Sequence, residues 1–117
     1  MRDAPAAPAT PASIARLRVT PSARRGEIVE IRLLVQHPME TGFRRDVQGR
    51  AIPMNVVNQV VARYDGREIF RAELGSGIAA NPYLSFFTTA TASGEVEVSW
   101  IDDAGQRGEA RVPIAVS

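Results

Sequence analysis

The chain has 117 residues, a formal net charge of +1 and no cysteine. A domain of that length hides about two thirds of the surface its unfolded chain exposes, so it folds without covalent staples. The missing thiols exclude disulfides, thiolate metal ligands, a cysteine nucleophile and a covalent thiol carrier together.

Residues 1–13 are mostly Ala and Pro, with Pro5, Pro8 and Pro11 at every third position. That spacing favours extended polyproline conformations and predicts a disordered tail ahead of a single domain over residues 14–117. The segment also has no apolar core of the kind a signal peptide needs. From Ile14 onward the apolar residues recur every second position, the period of a strand with one buried face. Ala15, Leu17 and Val19 alternate with Arg16 and Arg18 in a first short strand. Pro21 and Gly26 bracket a turn, after which Val29, Ile31, Leu33 and Val35 point one way and Glu30, Arg32 and Gln36 the other.

A long loop over residues 37–53 leads to a valine-rich third strand over 55–64. Asp65-Gly66 then supplies the two positive φ angles of a type I′ hairpin turn, so residues 67–74 form a fourth strand paired with the third. Gly75, Gly77 and Pro82 mark the next connection, and a fifth strand over 83–90 carries Phe86 and Phe87. Ser93-Gly94 turns the chain into residues 95–101, where Val96, Val98 and Trp100 share a face, which makes Trp100 a core residue. Asp102 opens and Gly105 closes a last type I turn before residues 107–116. Pro113 lacks an N–H, so that final strand must lie at an edge or carry a bulge.

About seven strands with no helical segment predict an all-β, immunoglobulin-like antiparallel β-sandwich. If consecutive strands run antiparallel, the connections over 37–53, 75–82 and 102–106 fall at one end. Loops gathered at one end of a sandwich are the usual seat of binding. No apolar run reaches the length of a membrane span. The fourteen basic residues, all arginine, are scattered singly or in pairs and balanced by thirteen acidic ones, which supports neither a nucleic-acid nor a membrane partner.

His37 is the only histidine, so an imidazole metal site or a His-based general acid would rest on one residue. The mononuclear iron superoxide reductases resemble this chain in presenting a His-Pro stretch on a sandwich loop, but their iron takes several His and a Cys. No Gly-x-Ser-x-Gly elbow exists, and the acid pairs Asp102-Asp103 and Glu95 with Glu97 fall in a turn and on a solvent-facing edge. Gly75, Gly77 and Asn81 have no strand-to-helix context in which to cradle a phosphate. No catalytic, cofactor or metal site is therefore expected, and the chain reads as a binding protein rather than an enzyme.

The loop sequence Gln36-His37-Pro38-Met39-Glu40-Thr41-Gly42, followed by Arg45-Asp46, Gly49 and Ile52-Pro53, resembles the Z subunit of the SoxYZ sulfur carrier. Tyr64-Asp65-Gly66, Asn81-Pro82-Tyr83-Leu84 with Phe86, and the run from Trp100 to Gly105 fall where that family has corresponding residues. The resemblance spans residues 14–116. It implies a noncatalytic subunit that forms a heterodimer with the Y subunit, whose Cys in a Gly-rich arm bears the sulfur intermediates of thiosulfate oxidation. It also implies transient contact with other enzymes of the pathway and a periplasmic location reached by export with the folded Y subunit. The partner-binding loops it points to hold His37, Pro38, Met39, Glu40, Thr41, Gly42, Arg45, Asp46, Asn81, Pro82 and Tyr83. Ala79-Ala80 depart from the polar or basic residue the family often has ahead of Asn-Pro, and the Ala/Pro segment has no general counterpart. A structural role for the same loop, with His37, Glu40 and Thr41 tying it down and Gly42 at positive φ, is compatible with recognition. A free-standing adhesion or ligand-binding sandwich is the alternative function.

Overall fold

The computed structural model describes residues 14–117, so the tail expected over 1–13 lies outside the described residues. Its elements are β1 (Ala15–Val19), β2 (Ser22–Ala23), β3 (Ile28–Val35), β4 (Val57–Tyr64), β5 (Arg67–Glu73), β6 (Tyr83–Thr89), β7 (Gly94–Asp102) and β8 (Arg107–Val116). They form two facing sheets, one of order β1-β3-β6 and one of order β2-β8-β7-β4-β5. The all-β, immunoglobulin-like sandwich is therefore observed, with eight strands rather than about seven. The additional one is β2, two residues long, which pairs parallel with Ala115 and Val116 of β8.

Pro21 is the reason for that extra strand. Between β1 and β2 its missing N–H and fixed φ end the first ladder, and the chain crosses to the opposite sheet, where the Pro21 carbonyl accepts the Ala115 N–H at 3.0 Å. The other strands match the alternation of the sequence to within one or two residues at their ends. Asp65 and Gly66 take φ of 52° and 80°, as the β4–β5 hairpin requires. Pro113 faces away from the core on β8, whose outer side is covered only at Ala115 and Val116, so it sits on an open edge.

Between the sheets, Val29, Ile31, Leu33 and Val35 of β3 pack against Val60, Ala62 and Tyr64 of β4 and Val96, Val98 and Trp100 of β7. Each such aliphatic side chain taken fully from water contributes about 1.5–3 kcal/mol. Phe70 and Phe86, from opposite sheets, stack with ring centroids 4.2 Å apart. Trp100 is only 4% exposed, as its alternation predicts. Its ring lies against Gly108 on the neighbouring strand, where a Cβ would come within 2.4 Å of it.

The other end of the core is closed by Tyr64. Its hydroxyl accepts the N–H groups of Thr91 and Ala92, each at 3.1 Å, and donates to the Ala92 carbonyl. Burial pushes the phenol up, but the two backbone donors outweigh it and hold the group below the usual tyrosine range. The connection between β6 and β7 is thereby fastened to β4.

Candidate functional site

The connections that follow β3, β5 and β7 do gather at one end, and hydrogen bonds join them. His37 leaves β3 with its ring buried. Its Nδ1 accepts the Met39 N–H at 2.9 Å, which places the proton on Nε2, and Nε2 donates to Asp102 Oδ2 at 3.0 Å. Asp102 Oδ1 accepts the Gln106 N–H. Asn81, from the connection after β5, accepts the His37 N–H on Oδ1 and donates its own N–H to the His37 carbonyl. One buried histidine thus ties three loops together, and every polar atom of its ring is used.

Met39 follows at φ 52°, a conformation that costs a non-glycine residue of its size about 1–2 kcal/mol. The cost is offset by burial of its side chain and by Sδ, which accepts the Val57 N–H at 3.2 Å. Gly42 has φ 92°, as expected, and a Cβ there would sit 3.2 Å from that of Met54. Thr41 Oγ1 accepts the Phe43 N–H at 3.2 Å. Glu40 forms a bridge with Asn55 through its backbone, while its carboxylate takes two hydrogen bonds from Arg44, at 2.9 and 2.7 Å. That pairing holds the Glu40 carboxyl below the usual carboxylate range and raises the Arg44 guanidinium.

The loop over 37–53 is therefore not irregular throughout, because a small hairpin lies inside it. Arg45 bridges Ala51, the Arg45 guanidinium donates to the Gly49 carbonyl at 2.9 Å, and Asp46 Oδ1 accepts the N–H groups of Gln48 and Arg50. Arg45 and Asp46 make their contacts within this hairpin, apart from the His37 brace. It holds Phe43 and Val47 in solvent, with Met54 half exposed beside it. Pro38 is exposed and Pro82 buried. Tyr83 opens β6 and projects onto the outer face of the three-stranded sheet, away from the loops.

Asp102 and Asp103, expected only as turn residues, carry contacts beyond the turn. Asp102 opens the turn as expected, its carbonyl accepting the Gly105 N–H at 3.0 Å, and it is at the same time the buried last position of β7. Continuing the alternation of Val96, Val98 and Trp100 by two residues places it on the inner face, and that was the available signal. Asp103 accepts the Val56 N–H and the Asn58 side-chain amide, fastening the last hairpin to the start of β4. The arrangement is a brace built from saturated polar groups, suited to holding a loop surface in one shape. Among the described residues no group of three or more His, Cys, Asp or Glu side chains is placed to hold a metal ion.

Residues 17–113 match the model of the family described as sulphur oxidation protein SoxZ. No curated protein matches the chain. Among solved structures, a superoxide reductase (neelaredoxin) from Ignicoccus hospitalis is similar with a TM-score of 0.68 at 16% identity, over 90% of this chain and 82% of that one. The sulfur carrier protein SoxY from Chlorobium limicola f thiosulfatophilum is similar with a TM-score of 0.61 at 9% identity, over 88% and 78%. A hypothetical protein from Pyrococcus horikoshii gives 0.61 at 12% identity, over 92% of both chains. At these identities the likenesses establish a shared sandwich and nothing about chemistry.

Proposed function

The chain belongs to the SoxZ family of sulphur oxidation proteins, and from that premise we propose that it is the noncatalytic subunit of a sulfur carrier. In this reading it pairs with a SoxY-type subunit, whose cysteine carries the sulfur intermediates, and helps present them to the thiosulfate-oxidising enzymes. The family match over residues 17–113 of a chain without cysteine carries the reading, because a thiol for the cargo must then come from another chain. The His37 ring, with both nitrogens bound to protein groups, supports a scaffold role in place of the iron chemistry of the superoxide reductases that share the fold. Export to the periplasm in company with the SoxY-type subunit belongs to the same proposal.

The loop end offers what recognition needs, a surface fixed in advance so that little ordering entropy is lost on binding. Its exposed apolar side chains, Phe43 and Val47, stand on a hairpin held by its own hydrogen bonds. Gel filtration of the purified chain mixed with a SoxY-type subunit is expected to give one heterodimer peak. Two separate peaks at micromolar concentration would overturn the proposal and leave the free-standing ligand-binding sandwich. Glu40→Ala, at a partly buried carboxylate paired with Arg44, and Arg45→Ala, at an exposed guanidinium, are expected to leave the fold intact and to lower thiosulfate oxidation in the reconstituted system. Unchanged turnover in both variants would remove the hairpin from the mechanism.

A further inference from the structure

The two outer faces of the sandwich differ in how their charges are used. On the five-stranded sheet, Arg111 pairs with Glu97 at 2.9 Å and Glu109 at 3.0 Å, and Arg71 pairs with Glu68 at 2.8 Å. With Glu73 and Glu95 added to these carboxylates and Arg63 and Arg107 to these guanidinium groups, that face is nearly balanced in charge, although Arg63 and Arg107 stand outside the ion pairs, so a charged partner gains little there. On the outer face of the three-stranded sheet, Arg16 and Arg18 of β1 stand beside Arg32 of β3, with Glu30 as the one carboxylate. Glu30 is already bonded to Arg32 and Ser85. Among the described residues neither Arg16 nor Arg18 has an acidic partner.

Large apolar side chains occupy the same face. Ile28, Tyr83 and Phe87 are 69%, 58% and 62% exposed, an unusual amount of solvated aromatic surface for one side of a sheet. Arg16, Arg18, Arg32, Leu34 and Tyr83 line a groove of about 260 Å³ there. Arginine and tyrosine around an apolar floor is the composition of protein interfaces rather than of ordinary surface. A three-stranded face of this strand length offers a footprint of about 15 by 25 Å, short of the roughly 800 Å² per side of a stable complex. The contact must therefore run past Tyr83 onto the adjoining loops, which Asn81 ties to His37.

We infer that the outer face of the three-stranded sheet, centred on the Arg16, Arg18, Arg32 and Tyr83 groove, receives the SoxY-type subunit. The partner surface that fits it has an apolar centre bordered by carboxylates. This rests on the carrier reading above, and supplies what that reading lacks, the side of the sandwich on which the partner sits.

The test is titration calorimetry of the full chain with a purified SoxY-type subunit, using three forms of this protein. These are the unmodified chain, the double charge reversal Arg16→Glu with Arg18→Glu, and Ser99→Arg, which fills the groove on the opposite sheet. All changes are on outward-facing positions, and circular dichroism melts confirm that each variant is folded. The double reversal is expected to weaken binding by about 30-fold or more, Ser99→Arg by no more than about twofold. Raising the salt concentration should weaken the unmodified pair more than the reversed one. If the unmodified chain fails to bind, the carrier reading itself falls. If it binds and the double reversal leaves the affinity unchanged, the reading stands and the assignment of the face is wrong, whether or not Ser99→Arg weakens it. A homodimer of this chain that the double reversal dissolves would give the face to a second copy instead.

Discussion

The hydrogen bond from His37 to Asp102 joins residues 65 positions apart in the chain, both under the surface. Truncating one member leaves the other buried and unpaired, a loss of about 3 kcal/mol. His37→Ala is therefore expected to lower stability by about that much in urea unfolding, and a midpoint within error of the unmodified protein would show that the brace contributes nothing. Gly108 sets a second limit. A methyl group there meets the Trp100 ring at 2.4 Å, so Gly108→Ala should cost about 1–3 kcal/mol by overpacking and shift the tryptophan emission. At this scale the sequence was only partly readable. The inward places of Val96, Val98 and Trp100 followed from a period of two, yet Asp102, which opens the turn as its residue type suggests, also occupies the next inward place, and its residue type gives no sign of that second role. A lone histidine announces no partner either, since nothing local to His37 points to residue 102.

Hairpins were the most legible elements, because their turns are local chemistry. Asp65-Gly66 adopts the two positive φ angles its residue types favour. The bridges inside residues 37–53 were not legible, as they rest on single contacts such as Arg45 with Ala51 rather than on a repeating pattern. Within that loop the Glu40 carboxyl titrates below its ordinary 4.5 because of the hydrogen bonds from Arg44. A depressed folded value means that the clamp's contribution is present above the ordinary carboxylate pKa and is lost as pH falls through the lowered one. NMR titration should show the Glu40 carboxyl moving below the range of free glutamates, and returning to it in Arg44→Ala. The β6–β7 connection depends on another single group. Tyr64→Phe removes the hydroxyl that holds Thr91 and Ala92, and an expected loss of about 2 kcal/mol is measurable by thermal or urea unfolding.

For the molecule as a whole, the fold class and seven of the eight strands followed from alternation and turn spacing, and the gathering of three loops at one end followed from antiparallel order. What did not follow was the division of labour between the two outer faces, because outward residues are polar or basic on both and only pairing distances separate a neutralised face from an open one. Family membership adds the partner class, which no periodicity encodes. The Pro21 crossover was likewise invisible as a strand, since two residues carry no period. Its effect is nonetheless global, for the segment from β1 to β2 contributes to both sheets and ties them to each other. Urea unfolding is accordingly expected to be a single cooperative transition by fluorescence and circular dichroism alike, and separate midpoints for the two probes would contradict it.

The parallel pairing of Ser22 and Ala23 with Ala115 and Val116 also sets a clock. A ribosome adding about 5–20 residues per second needs roughly 5 to 20 s to travel between those positions, and throughout that interval the sandwich lacks its clasp. Hairpins such as β4–β5 can form as they emerge, but closure waits for β8. A nascent chain stopped before β8 should accordingly remain sensitive to protease, whereas the released chain resists it. Any partner that recognises the closed sandwich therefore meets it only once β8 has been made and paired.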